Sequence, residues 1–167
     1  ASDRASGQNL DIWLQHLGGG EPVRLTTWDS DEQEPDFSPD GARIVFRSSR
    51  NDGGIYVVPV LGGEPAVVAP KGFRPRFSPD GNSIAYWVGS EGGPAGGLFV
   101  ISAFGGEPRR IAADLGGAYD PVWSPDGKRL IVGGWKTIPG TKEDFDDNWW
   151  DVSVEDGVAR SIGFAEI

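Results

Sequence analysis

The sequence predicts an all-β chain built from a repeated four-stranded antiparallel unit, on three observations. Gly accounts for 26 and Pro for 13 of the 167 residues, together about twice their usual share, which leaves little room for long helices. Two turn motifs recur in alternation along the chain. Between them lie short runs rich in β-branched and aromatic residues, the composition of strands.

The first motif, x-Pro-x-aromatic-Ser-Pro-Asp-Gly, occurs at Glu34 to Gly41, Arg74 to Gly81 and Asp120 to Gly127. The second, Gly-Gly-Glu-Pro, starts at Gly19, Gly62 and Gly105. The spacings are 40 and 46 residues for the first motif and 43 and 43 for the second. Each motif has a turn mechanism. In Ser-Pro-Asp-Gly the proline presets φ, Asp suits the next position, and Gly takes the left-handed one, giving a type I turn with a bulge. In Gly-Gly-Glu-Pro the glycines supply positive φ, and proline opens the next strand where no donor is needed.

Strands flank these turns. Arg43 to Phe46, Ser83 to Val88 and Arg129 to Val132 follow the first turn type; Asp11 to Leu17, Ile55 to Val60 and Leu98 to Phe104 precede the second. The runs are nearly continuous rather than alternating, which predicts strands covered on both faces. Pro59 is out of place in such a run, because proline removes a ladder donor. Strand, turn, strand, loop, strand, turn, strand makes one repeat of about 43 residues, the size of a four-stranded propeller blade. A degenerate copy aligns Trp149 to Val154 with Ile55 to Val60, followed by a last strand at Val158 to Ile162. The division is a partial blade over 1–33 and blades over 34–73, 74–119 and 120–167, all one propeller domain. That makes about 3.5 blades, where propellers have about 4 to 8. The expectation is therefore a segment of a larger ring, with further blades on both sides and a tendency to self-associate through open blade edges.

The two motifs in this order resemble the WD40-like (PD40) repeat of TolB-type β-propellers, and the resemblance covers nearly the whole chain. It implies blades packed around a central channel. Such repeats resemble those of the periplasmic translocation protein, of propellers attached to receptor-like serine/threonine kinases and transcriptional regulators, and of gating propellers in tricorn-like and prolyl-oligopeptidase-like peptidases. A periplasmic or extracytoplasmic placement in bacteria is implied by the resemblance alone.

Composition excludes several function classes. Lys plus Arg is 15 against 25 Asp plus Glu, a formal net charge of −10. A surface this acidic has no electrostatic footprint for nucleic acid and is repelled by anionic membranes. No run of about 18 apolar residues offers a transmembrane helix. Cys is absent, so disulfides, thiolate metal sites and a Cys nucleophile are ruled out. No nucleophile elbow, P-loop or dinucleotide fingerprint appears. The single histidine, His16, aligns with Pro59, Ser102 and Ser153, so it reads as scaffold rather than as a catalytic base. No catalytic residue, cofactor or metal is expected in this segment.

With strands lettered A to D outward from the channel, both tight turns fall at one end of each blade. The B–C and D–A loops fall at the other, and that end carries the variation. From Phe46 to Tyr56 is 10 residues, from Tyr86 to Phe99 is 13, and from Val132 to Trp150 is 18. The third B–C loop, 133–148, is thus unusually long. Asp40, Asp80 and Asp126, with Glu21, Glu64 and Glu107, repeat at turn positions and read as turn stabilisers. The cluster from Glu143 to Asp147 offers oxygens to a hard cation, but its spacing does not match an EF-hand loop and a solvated acidic loop is the plainer reading. Trp13, Trp87, Trp123, Trp149 and Trp150 sit on strands and read as packing between blades. The candidate binding face is Trp28, Asp29, Asp31, Trp135, Asp144, Phe145, Asp146 and Asp147. The expected role is non-catalytic binding or sensing of a protein partner or small ligand by that face, in a signalling or transport-associated parent. Two alternatives are the accessory propeller of a serine peptidase and a lectin-like carbohydrate binder.

Overall fold

The computed structural model describes residues 1–2, 9–89, 96–137 and 145–163, with backbone alone at 137 and 145–147. Fourteen strands form one two-stranded and three four-stranded antiparallel sheets among the described residues. The two-stranded sheet pairs β1 (Trp13–Leu14) with β2 (Val23–Arg24). The first full blade runs β3 (Glu32–Phe37), β4 (Arg43–Ser48), β5 (Gly54–Pro59), β6 (Ala66–Ala69). The second runs β7 (Phe73–Phe77), β8 (Ser83–Val88), β9 (Gly97–Ser102), β10 (Arg109–Ile111). The third runs β11 (Gly117–Trp123), β12 (Arg129–Thr137), β13 (Phe145–Ser153), β14 (Ala159–Ser161). Pro59 closes β5, exposed at its end, where a missing donor is harmless.

The core lies between the sheets. Ile12 packs with Ile44, Phe46, Tyr56 and Val58. Val45, Ile55 and Val57 meet Phe77, Ile84, Tyr86 and Ile101. Leu98, Val100 and Ile111 meet Leu130, Val132, Trp150 and Val152. Each middle strand therefore buries both of its faces, which is why these runs are apolar without alternation. The first strands β3, β7 and β11 of successive blades lie against one another.

Each Ser-Pro-Asp-Gly turn is held by the same hydrogen bonds. The Ser38 hydroxyl donates to Asp40 Oδ1 at 2.5 Å and accepts from the Arg43 amide at 2.9 Å, while the Ala42 amide donates to Asp40 Oδ1 at 3.0 Å. Ser78 with Asp80 and Ser124 with Asp126 repeat the pattern. The serine hydroxyl bonds hold all three aspartates below the usual carboxylate range, with the backbone amides adding to the effect. Gly41, Gly81 and Gly127 have φ of 68°, 72° and 69°. Gly41→Val is expected to cost more than about 1 kcal/mol, because a β-branched residue tolerates that φ poorly. A urea midpoint equal to that of the parent chain would count against this.

Both turn families lie at one end of the blades. The amides of Val60 and Ala103, leading into the second turn type, and of Val154, at the equivalent point of the degenerate copy, donate to the carbonyls of Ala42, Asn82 and Lys128 in the first, at 2.9, 2.8 and 2.9 Å. The three glutamates of the second motif differ from the aspartates. Glu21, Glu64 and Glu107 are exposed and make no hydrogen bond or ion pair to a described residue. Positive φ at the preceding glycines carries the turn without them.

Two features depart from expectation. Every first strand is bulged before its proline: Glu34, Arg74 and Asp120 have φ of 57°, 48° and 52°, and the register shifts there. The bulge aims side chains across to the next blade. The Arg74 amide donates to Glu34 Oε2 at 2.6 Å, the Phe77 amide to Asp36 Oδ2 at 2.9 Å, and Arg74 pairs with Asp120 at 2.7 Å. The second departure corrects the long loop at 133–148. Most of it is strand, because β12 and β13 pair continuously from Arg129↔Ser153 to Thr137↔Phe145.

Candidate functional site

At the end of the blades opposite the tight turns, the chain entering β1 latches the loop between β2 and β3. Asn9 Nδ2 donates to the carbonyls of Trp28 at 2.7 Å and Ser30 at 3.0 Å. The Leu10 amide donates to Asp31 Oδ1 at 2.8 Å, and the Glu32 amide to the Leu10 carbonyl at 2.7 Å. Ser49, just before the short 3-10 turn Arg50–Asp52, accepts from the Asp31 amide at 2.9 Å. Within this frame Trp28 is half-buried. It stands edge-on to Tyr56 at 5.1 Å and tilted to Phe46 at 6.2 Å, with the Arg50 guanidinium 4.7 Å above its ring. Thr27, Trp28, Asp29, Ser30, Ser49 and Arg50 line a cleft of about 540 Å³.

Of the residues expected on this face, Trp28 and Asp29 reach the cleft together. Asp31 is occupied as a cap for the Leu10 amide. Trp135 is not on an open loop. It is buried, 7% exposed, in β12 opposite Gly117, with Tyr119 at 6.3 Å. Beside it Lys136 pairs with Asp114 at 2.6 Å and lies 5.0 Å over the Trp150 ring. Asp144 lies outside the described residues. Phe145, Asp146 and Asp147 belong to β13, opposite Thr137, Lys136 and Trp135; their side chains are outside the described set. His16 is exposed in the β1–β2 turn and accepts from the Gly18 amide at Nδ1, 3.0 Å. Its carbonyl accepts from the Gly19 amide as those of Pro59 and Ser102 accept from Gly62 and Gly105. Among the described residues no group of three His, Cys, Asp or Glu is placed to hold a metal ion.

Sequence reasoning missed Arg50, and it missed a buried polar cluster behind the cleft. Asp11, Thr26, Glu32 and Ser48 are all 2% exposed or less. Arg24 pairs with Asp11 at 2.8 Å, the Ile12 amide donates to Thr26 Oγ1 at 2.9 Å, and Glu32 Oε1 accepts from Ser30 at 2.6 Å and Ser48 at 2.9 Å. Burial raises the pKa of Glu32 above its ordinary value, against the three hydroxyls of Ser30, Ser48 and Thr26, and Asp11 adds to the rise. The signal was present in the repeat alignment. Where this interface has Asp11, Thr26 and Glu32, the next two have Gly54, Ala69 and Gly72, then Gly97, Ala112 and Ala118.

Repeated four-stranded blades stacked through apolar faces, with first strands side by side, define a β-propeller fold. Comparison with solved structures agrees. The chain superposes on TolB from Acinetobacter baumannii with a TM-score of 0.69 at 20% identity, over 93% of this chain and 38% of that one. A puromycin-hydrolysing peptidase of Mycobacterium tuberculosis gives 0.69 at 19% identity, over 93% and 26%. The β-propeller domain of the Trilobed protease from Pyrococcus furiosus gives 0.60 at 16% identity, over 79% and 41%. The chain thus spans well under two thirds of each of these proteins. Likeness at this identity establishes a TolB-type propeller fold. No family model matches the sequence, and no curated protein matches it.

Proposed function

We propose that this propeller segment is a non-catalytic binding module that takes a protein or small ligand on the face opposite its tight turns. The observation that carries the reading is the cleft at Trp28. A large aromatic ring there is presented with a guanidinium above it and an exposed carboxylate, Asp29, beside it. Rigid aromatic and arginine side chains held in a concave site are the usual anchors of recognition.

The test is a peptide array and a glycan array probed with the chain and with an Arg50→Ala/Asp29→Ser double variant. Both residues are exposed, so the fold is retained. Hits are expected to weaken at least tenfold in the double variant. Association with a basic hit is expected to slow as salt rises and on neutralising Asp144, Asp146 and Asp147 together. Hits that survive the double variant, or an on-rate indifferent to salt and to these charges, would overturn the reading.

A second reading, the accessory propeller of a serine peptidase, is favoured by the likeness to the β-propeller domain of a protease and to part of a peptidase. The gene downstream of Ile167 separates the two. An α/β-hydrolase domain there decides for the peptidase, and a kinase domain upstream decides for a sensor.

A further inference from the structure

The tight-turn face is not uniform, and the difference lies in one slot between blades. Between the first and second full blades, the slot is filled by Arg43. Its guanidinium lies 5.3 Å from the Phe77 ring and 4.9 Å from the Phe104 ring, and Nη2 donates to the Gly81 carbonyl at 2.9 Å. Its charge also helps hold Asp40 ionised. In the next blade the residue equivalent to Arg43 is Ser83, which is too short to cross.

The slot between the second and third blades is consequently open. A cavity of about 300 Å³ stands there, lined among others by Asp80, Ser83, Trp123, Asp126 and Gly127. Each wall has its counterpart in the filled slot: Trp123 for Phe77, Gly127 for Gly81, Asp80 for Asp40. The Trp123 ring is already oriented, because its Nε1 donates to the Arg76 carbonyl at 3.0 Å. Where Phe104 covers Arg43, the equivalent residue is Glu155, which lines an adjoining hollow sharing Asp126 and Gly127. Cations border that hollow, but two already have partners. Arg129 pairs with Asp151 outside the hollow at 2.5 Å, whereas Arg109 spends its donor on the carbonyl of Val154, itself a wall of the slot, also at 2.5 Å. Lys128 is the third.

We propose that this open slot is a binding site for an arginine side chain, presented by a basic segment of a partner polypeptide. Arg43 shows within the same molecule what such a slot accepts. An aromatic face, a backbone carbonyl and carboxylates together suit a planar cation with several donors. Asp80 and Asp126 stay charged to low pH because serine hydroxyls and backbone amides stabilise the carboxylates. A formal net charge of −10 on the chain favours encounter with a basic segment. This site lies on the face opposite the Trp28 cleft and stands independently of that reading.

The test is an NMR titration of the chain with N-acetyl-arginine amide, following the Trp123 indole N–H, assigned by its absence in Trp123→Phe. The controls are the citrulline derivative, which has the same shape without charge, and the lysine derivative. A saturable shift with the arginine derivative is expected, at least tenfold weaker with citrulline and weaker with lysine. Ser83→Arg fills the slot from within and is expected to abolish the shift; Ser83→Leu blocks the same space without charge and keeps the test alive should the first variant misfold. Absence of a saturable shift, equal binding of the arginine and citrulline derivatives, lysine binding as tightly as arginine, or binding unchanged in a folded Ser83 variant would each overturn the proposal.

Discussion

Gly117→Val is expected to destabilise the chain by about 3 kcal/mol, the upper range for forcing bulk into a packed site. In the β11–β12 pair Gly117 sits opposite Trp135, and a Cβ at Gly117 would overlap the six-membered ring of that indole. The neighbouring glycines serve the same end. A Cβ at Gly133 would strike the Tyr119 ring, and one at Gly134 would strike the Gly117 backbone. Two aromatic rings thus lie flat on a stretch of sheet that has no side chains to hold them off. The mechanism predicts strong coupling: in a Trp135→Leu background the cost of Gly117→Val should fall below about 1 kcal/mol, since residues in contact are not additive. Urea unfolding of the two single variants and the double variant reads this directly. Additive costs would show that the indole is not what excludes the valine.

The same region shows where sequence reasoning runs short. Gly133 and Gly134, followed by Lys136 and the acids of 143–147, have the composition of a loop, yet nine-residue strands pair across much of it. The pairing depends on aromatic cover from Tyr119 on another strand, a contact that no local window contains. The inner-strand bulges were hidden for a different reason. A residue before proline is ordinarily extended, so positive φ at Glu34, Arg74 and Asp120 runs against local preference and is sustained by bonds to the next blade. The turns, by contrast, were legible because their chemistry is local: Ser38, Asp40 and Gly41 close one hydrogen-bonded unit within a few residues. For the candidate site, the repeat placed Trp28 at the variable end of the blades. It could not show that Asp31 is consumed as a cap or that Arg50 covers the ring, since both depend on residues about 20 positions apart.

Arg24→Met is expected to cost about 3 kcal/mol at neutral pH, the low end for breaking a buried pair. Arg24 is itself 28% exposed, whereas Asp11 is fully buried, so the loss falls mainly on a carboxylate left without its cation. The penalty should depend on pH through Glu32. A carboxyl whose folded value is raised holds its proton more tightly in the fold than in the unfolded chain. The stability it contributes is therefore complete below the ordinary value of 4.5 and is lost as pH rises through the folded value. Above that window Asp11 and Glu32 are two negative charges in one interface, and Arg24 is the cation that offsets them. The cost of Arg24→Met should accordingly shrink as pH is lowered toward 4.5, and Glu32→Gln should recover much of it at pH 7 by removing the second charge while keeping the shape. Urea midpoints between pH 4.5 and 8 for Arg24→Met, Glu32→Gln and the double variant measure both effects. A penalty constant across that range, or one that Glu32→Gln leaves untouched, would show that Arg24 acts by packing its stem against the sheet rather than by balancing the buried acids.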